Sequence, residues 1–255
     1  MTLTGTPRAS DRHLRPVRAA ARRRPGLALA LGTAVLALAG CRSAEVPAGG
    51  FPAADRPVAS VVSTRWSDEE TRDRLNEAEE VMDRADLTPG MTVADIGAGE
   101  GYYTVRLAKR VGPNGRVLAQ DIQASARDAL ARRVAKERLD NVSVKLGQPA
   151  DPDLPPASFD RVLMVHMYHE IASPYEFLWR LRPALAARGR VVVVDADRPT
   201  QNHGTPPALL RCEFAAVGYA QVDFQVMPSA GGYLAAFEPA GERPPPGSIK
   251  SCSQG

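Results

Sequence analysis

The chain has 255 residues, enough for one sizeable α/β domain and too few for two of common size. With 44% hydrophobic and 24% charged residues it is neither disordered throughout nor a polytopic membrane protein. The net charge of +3 divides unevenly: residues 1–40 hold seven arginines and one acid, a local +6 that leaves −3 for residues 41–255 and argues against a nucleic-acid groove.

In chain order, arginines from Arg8 to Arg24 precede an uncharged run, Leu27–Gly40. The run is short for a bilayer span and has the proportions of the apolar core of an export signal. Leu38-Ala39-Gly40-Cys41 closes it and resembles the lipobox of bacterial lipoproteins. The resemblance implies acylation of Cys41 and a lipid-anchored protein of the cell envelope, with a cytoplasmic location as the alternative if the segment is not a working signal. Residues 1–40 thus read as a signal peptide and residues 41–57, punctuated by Pro47, Gly49, Gly50, Pro52 and Pro57, as a flexible tether.

Residues 58–240 read as one domain. Ser67-Asp68-Glu69-Glu70 is a capping-box pattern that opens a helix reaching about Arg84. Short apolar runs then alternate with helical segments. Strands are expected at Met91–Ile96, Gly115–Gln120, Asn141–Leu146, Asp160–Val165 and Arg190–Val194, and helices at Tyr102–Val111, Ala124–Leu139 and Pro174–Ala187. This alternation predicts βαβ units and a parallel sheet. Past a helix at Pro207–Val217, strands at Tyr219–Val226 and Gly232–Phe237 are separated by too few residues for anything but an antiparallel hairpin. Residues 241–255, with Pro244-Pro245-Pro246, read as a disordered tail. Cys212 and Cys252 either pair or remain free thiols.

The chemistry concentrates at Asp95-Ile-Gly97-Ala-Gly99-Glu-Gly101-Tyr102, where the first strand turns into the first helix of the sheet. Glycines there let backbone approach a ligand, and the helix N-terminus offers unpaired N–H groups. Asp121 closes the second strand, where a carboxylate can accept both hydroxyls of a ribose. The glycine spacing is G-x-G-x-G rather than the dinucleotide pattern G-x-G-x-x-G, and a carboxylate at Asp95 would repel phosphate, so a nicotinamide-dependent oxidoreductase is disfavoured. A ligand with an amino group and no phosphate fits better.

On these residues, with Phe159-Asp160, Leu181-Arg-Pro-Ala-Leu185, Gly189–Val194 and Gly218-Tyr219, the chain resembles the class I S-adenosylmethionine-dependent methyltransferases from about Glu79 to Phe237. The resemblance implies a Rossmann-like, doubly wound, seven-stranded and mostly parallel sheet with an antiparallel terminal hairpin strand. It implies S-adenosylmethionine as cofactor, its methionine part held by Asp95, Gly97, Gly99 and Gly101 and its ribose by Asp121. Ile122 would pack on the adenine, Asp151 would meet the adenine amino group in preference to Gln148, and Tyr102 and His166 would border the cofactor. The substrate would be a small molecule or an envelope component.

His166-Met-Tyr168-His169-Glu170 follows the fourth strand, beside the expected methyl group. His169 is the candidate base, with Tyr168 or Glu170 orienting substrate. No metal is expected, because position 173 is Ser where H-E-x-x-H needs a second histidine. Two signals pull apart: S-adenosylmethionine is a cytoplasmic cofactor, whereas a lipobox directs a protein outward. An exported binding module that keeps the fold without methyl transfer is therefore the alternative.

Overall fold

Two short helices, α1 (Glu69–Arg74) and α2 (Glu77–Arg84), lead into the sheet where one unbroken helix was expected. The computed structural model describes residues 50–61 and 68–254, so Ser67, Trp66, Cys41 and the whole signal-like segment lie outside the described residues. Asp68 caps α1 through its carboxylate, which accepts the Thr71 amide at 2.8 Å. The helix breaks because Asn76 takes a left-handed backbone conformation (φ 56°), which turns Glu77 inward.

Seven strands follow: β1 (Thr92–Ile96), β2 (Arg116–Asp121), β3 (Val142–Leu146), β4 (Phe159–Val165), β5 (Leu185–Asp195), β6 (Tyr219–Met227) and β7 (Gly232–Pro239). They pair in the order β3-β2-β1-β4-β5-β7-β6, parallel as far as β5, with β7 antiparallel to both β5 and β6. The helices α3 (Tyr102–Val111), α4 (Ala124–Glu137), α5 (Pro174–Leu181) and α6 (Pro207–Ala216) complete the α/β architecture. α5 stops six residues earlier than the sequence pattern suggests. Pro183 cannot donate into the helix and its ring opposes the preceding turn, so the chain tightens into a 3₁₀ turn at Arg182–Ala184 and β5 begins at once.

Alternate residues of β5 serve opposite cores, as the two-residue period of a strand requires. Val191 and Val193 pack with α5 and α6, while Val192 and Val194 pack with α2 and α3, and all four are fully buried. Each contributes roughly 1.5–3 kcal/mol of burial. The run is apolar throughout because both faces of the strand are covered.

Both ends of the described chain belong to the fold. Phe51, in the expected tether, is buried and packs edge-on against Trp179, so the domain starts before Val58. The expected disordered tail is docked: Trp179 Nε1 donates to the Pro244 carbonyl, Arg243 stacks on the Trp179 ring, and a Cys212–Cys252 disulfide ties the tail to α6. Proline-rich composition misleads here because the ordering comes from a covalent staple and one indole. Among the described residues, no helix is long and apolar enough to cross a membrane.

Candidate cofactor site

Strand order reverses between β1 and β4, and at such a switch point the carboxyl ends of the strands leave a crevice. A cavity of about 510 Å³ opens there, walled by Asp95 to Glu100, Gln120 to Ile122, Gln148 and Pro149, and Val165 to Met167 with Glu170. α1 borders it through Glu69 and Arg72.

The glycine turn is built from backbone. The amides of Gly97 and Ala98 both donate to the Gln120 carbonyl at 2.9 Å, which ties the turn to β2. Gly97 has φ +70°, and a Cβ there would come within 2.9 Å of Met167 Cγ. Gly99 donates to Asp121 Oδ2 at 3.0 Å, while Oδ1 of the same carboxylate accepts the Gln123 amide at 2.8 Å. Asp121 therefore shapes the turn and still keeps acceptor capacity for a ligand. Gly101 differs from the other two. It does not line the cavity; its missing side chain makes room for Leu130 of α4, whose Cδ1 lies 2.5 Å from where a Cβ would stand. Its place is helix packing, which a glycine count cannot distinguish from ligand approach.

Asp95 is 3% exposed and accepts the Thr104 hydroxyl at 2.6 Å. Burial pushes its carboxyl up to about 6, against the opposing pull of the Thr104 hydrogen bond and the Arg72 charge. A carboxylate so placed fits a cationic amino group. Gln120 Oε1, also on the cavity wall, is buried with no hydrogen-bond partner and offers a further acceptor.

Above Asp95 lies a network that the sequence did not advertise. Arg72 makes a two-pronged bond to Glu77 and sits 3.8 Å from the centre of the Tyr102 ring; Tyr103 donates to Glu77 at 2.9 Å. His166 Nε2 lies 3.5 Å from the same carboxylate. Burial alone would raise the Glu77 pKa, but the His166 and Arg72 bonds outweigh it and hold the group down to about 2. Tyr102 and His166 line the cavity, and His166 does so with φ 55° while its amide donates a hydrogen bond to the Val194 carbonyl. The kink at Asn76 is what delivers Glu77, and nothing in the local pattern signals that.

The other expected residues part company. Ile122 is on the wall and 43% exposed, available to a planar ring. Asp151 is not on the wall: it caps the Asp153 amide and meets Arg180, leaving Gln148 at that end of the cavity. Tyr168 is fully buried and points into the core, where it donates to Glu213 Oε2 at 2.7 Å. His169 is also fully buried, its Nδ1 3.0 Å from both Asp195 oxygens. Of the three, Glu170 lines the cavity. A 3₁₀ turn at Tyr168–Glu170 causes the divergence, sending consecutive side chains in different directions. Arg56, from the expected tether, bonds Glu213 at 2.8 Å and the carbonyls of His169 and Ile171, clamping this turn from behind.

Residues 93–189 match the family described as a methyltransferase domain. Nocamycin O-methyltransferase from Saccharothrix syringae is 36% identical over 134 residues, 52% of this chain and 45% of that protein. A demethylmenaquinone methyltransferase from Symbiobacterium thermophilum is 29% identical over 121 residues, 47% of this chain and 48% of that one. The chain spans about half the length of these curated relatives. Among solved structures, a SAM-dependent methyltransferase from Aquifex aeolicus has a TM-score of 0.58 at 23% identity, covering 68% of this chain and 97% of that one. The fold, a seven-stranded mostly parallel sheet ending in an antiparallel pair, is shared with this Aquifex aeolicus methyltransferase.

Proposed function

We propose that the chain is an S-adenosylmethionine-dependent methyltransferase acting on a small-molecule or envelope acceptor. The observation that carries this reading is the pair of carboxylates flanking one glycine turn: Asp95, buried and raised to about 6, and Asp121, bonded to the Gly99 amide. When bound, the cofactor supplies a methyl group already activated on a sulfonium, so the protein's work is alignment and exclusion of water. Asp95 would take the amino group, the Gly97–Gly99 backbone the methionine part, Asp121 the ribose, and Ile122 with Gln148 the base. The acceptor would enter past Glu170, the residue of the Tyr168–Glu170 turn that faces the cavity.

Calorimetric titration with S-adenosylmethionine, S-adenosylhomocysteine and NAD tests the assignment. Binding of both sulfur ligands and not NAD is expected, weakened about 10- to 100-fold in Asp121→Asn by loss of charge-assisted ribose bonds. No binding of either sulfur ligand overturns it. The name of the Saccharothrix syringae relative directs the first acceptor screen to oxygen nucleophiles.

We further propose export and anchoring through Cys41. The lipobox-like Leu38–Cys41 supports this, and the Cys212–Cys252 disulfide suits an oxidising compartment. Incorporation of labelled fatty acid that persists in Cys41→Ser refutes the anchor.

A further inference from the structure

Behind the Tyr168–Glu170 turn, two imidazoles meet edge to face: the rings of His169 and His203 are 5.4 Å apart at 85°. His203 stands 34 residues beyond His169, on the loop that follows β5, in a left-handed conformation (φ 57°). Ligand atoms of His169, Glu170 and His203 all lie within 4.8 Å of one another.

The hydrogen bonds fix what these nitrogens offer. Asp195 Oδ1 accepts the Ala196 amide and Oδ2 accepts the Thr205 hydroxyl, so the carboxylate acts as an acceptor throughout and His169 Nδ1 carries the proton between them. His169 Nε2 is then a bare lone pair. It is buried, on a fully buried side chain, with no hydrogen-bond partner, and Nδ1 of His203 is buried and unpartnered as well. An ordinary histidine–aspartate pair in a core accounts for Nδ1 and leaves Nε2 unexplained. Two buried imidazole nitrogens without hydrogen-bond partners thus lie in one cluster with a carboxylate.

We infer that His169, His203 and Glu170 form a binding site for a divalent transition-metal cation of the zinc class. Two imidazoles and one carboxylate are the three-ligand set that leaves a fourth position open, and a histidine whose second nitrogen donates to a carboxylate is the usual form of a metal-bound imidazole. Around a tetrahedral cation with bonds near 2.0–2.1 Å, ligand atoms are about 3.4 Å apart, so the cluster closes by no more than about 1.5 Å of side-chain movement. Asp195 is the positioning residue. One of its oxygens holds the Thr205 hydroxyl and both approach His169, so a single carboxylate tethers both ligand-bearing loops. Arg56 and the Ala59 amide fix the His169 carbonyl. Because Glu170 also lines the cavity, a cation held by this set would adjoin the acceptor side, where it would supply Lewis-acid chemistry. The cation site itself does not depend on the methyl-transfer reading.

The test uses untagged full-length protein carrying Cys41→Ser, which removes the one thiol outside the disulfide, stripped with chelator and titrated with Zn²⁺ and Co²⁺. Saturable binding of one equivalent is expected, with the visible absorption of low-coordinate Co²⁺. His203→Ala and Glu170→Gln, which leave the buried His169–Asp195 pair intact, should each weaken binding tenfold or more, and Asp195→Asn about 10- to 100-fold. S-adenosylhomocysteine affinity measured on the same His203→Ala protein should be unchanged, which separates loss of the cation site from failure of the cofactor assignment. Absence of saturable Zn²⁺ and Co²⁺ binding, or binding undiminished in His203→Ala, overturns the proposal.

Discussion

Replacing Asp95 by Asn should stabilise the ligand-free protein while damaging its binding site. A carboxyl whose ordinary value near 3.8 rises to about 6 on folding is penalised when ionised, by about 3 kcal/mol at pH 7.5. Asn keeps an acceptor for Thr104 and removes the charge, but it buries an amide NH₂ that costs about 1 kcal/mol. The net gain is about 2 kcal/mol, or about 4–8 °C in melting temperature for a domain of this size. The sign with pH is fixed. A folded value above the unfolded one means that stability is present at low pH and is lost as pH rises from 3.8 through 6. At pH 4.5 the penalty has fallen to about 1 kcal/mol, and the advantage of Asn vanishes. Thermal melts of both proteins without ligand, at pH 4.5 and 7.5, read this directly, and calorimetry with S-adenosylmethionine should show the variant binding at least about tenfold more weakly. A gain of the same size at both pH values, or a loss at pH 7.5, refutes the reasoning about Asp95.

Arg56→Met should cost about 3–5 kcal/mol, because buried Glu213 loses its counter-charge and keeps only the Tyr168 hydroxyl; denaturant midpoints measure it, and Arg56→Met with Glu213→Leu should recover much of the loss. Reduction of the Cys212–Cys252 disulfide, which closes a 40-residue separation, should lower stability by about 2–4 kcal/mol, seen as a lower melting temperature in dithiothreitol that Cys212→Ser abolishes.

The turn from Asp95 to Gly99 and the carboxylate of Asp121 were legible in the sequence because their constraints are local: a strand end, a backbone that only glycine tolerates, an acid two dozen residues on. The sheet was legible for a similar reason, since short apolar runs at helix-length intervals admit few topologies. The 168–170 turn was not. Its residues share a motif in one dimension, yet a 3₁₀ turn gives Tyr168 to the core, His169 to Asp195 and Glu170 to the cavity. Residues supplied from afar were equally silent. Arg56 sits in a proline- and glycine-rich stretch that reads as linker, and His203 reaches His169 only after β5 has crossed the sheet.

Cys212 and Glu213 are consecutive residues on α6, so the covalent staple of the tail and the buried acid that holds Arg56 and Tyr168 share one helical turn. The docked tail and the buried Arg56 pair are therefore anchored at the same place on α6.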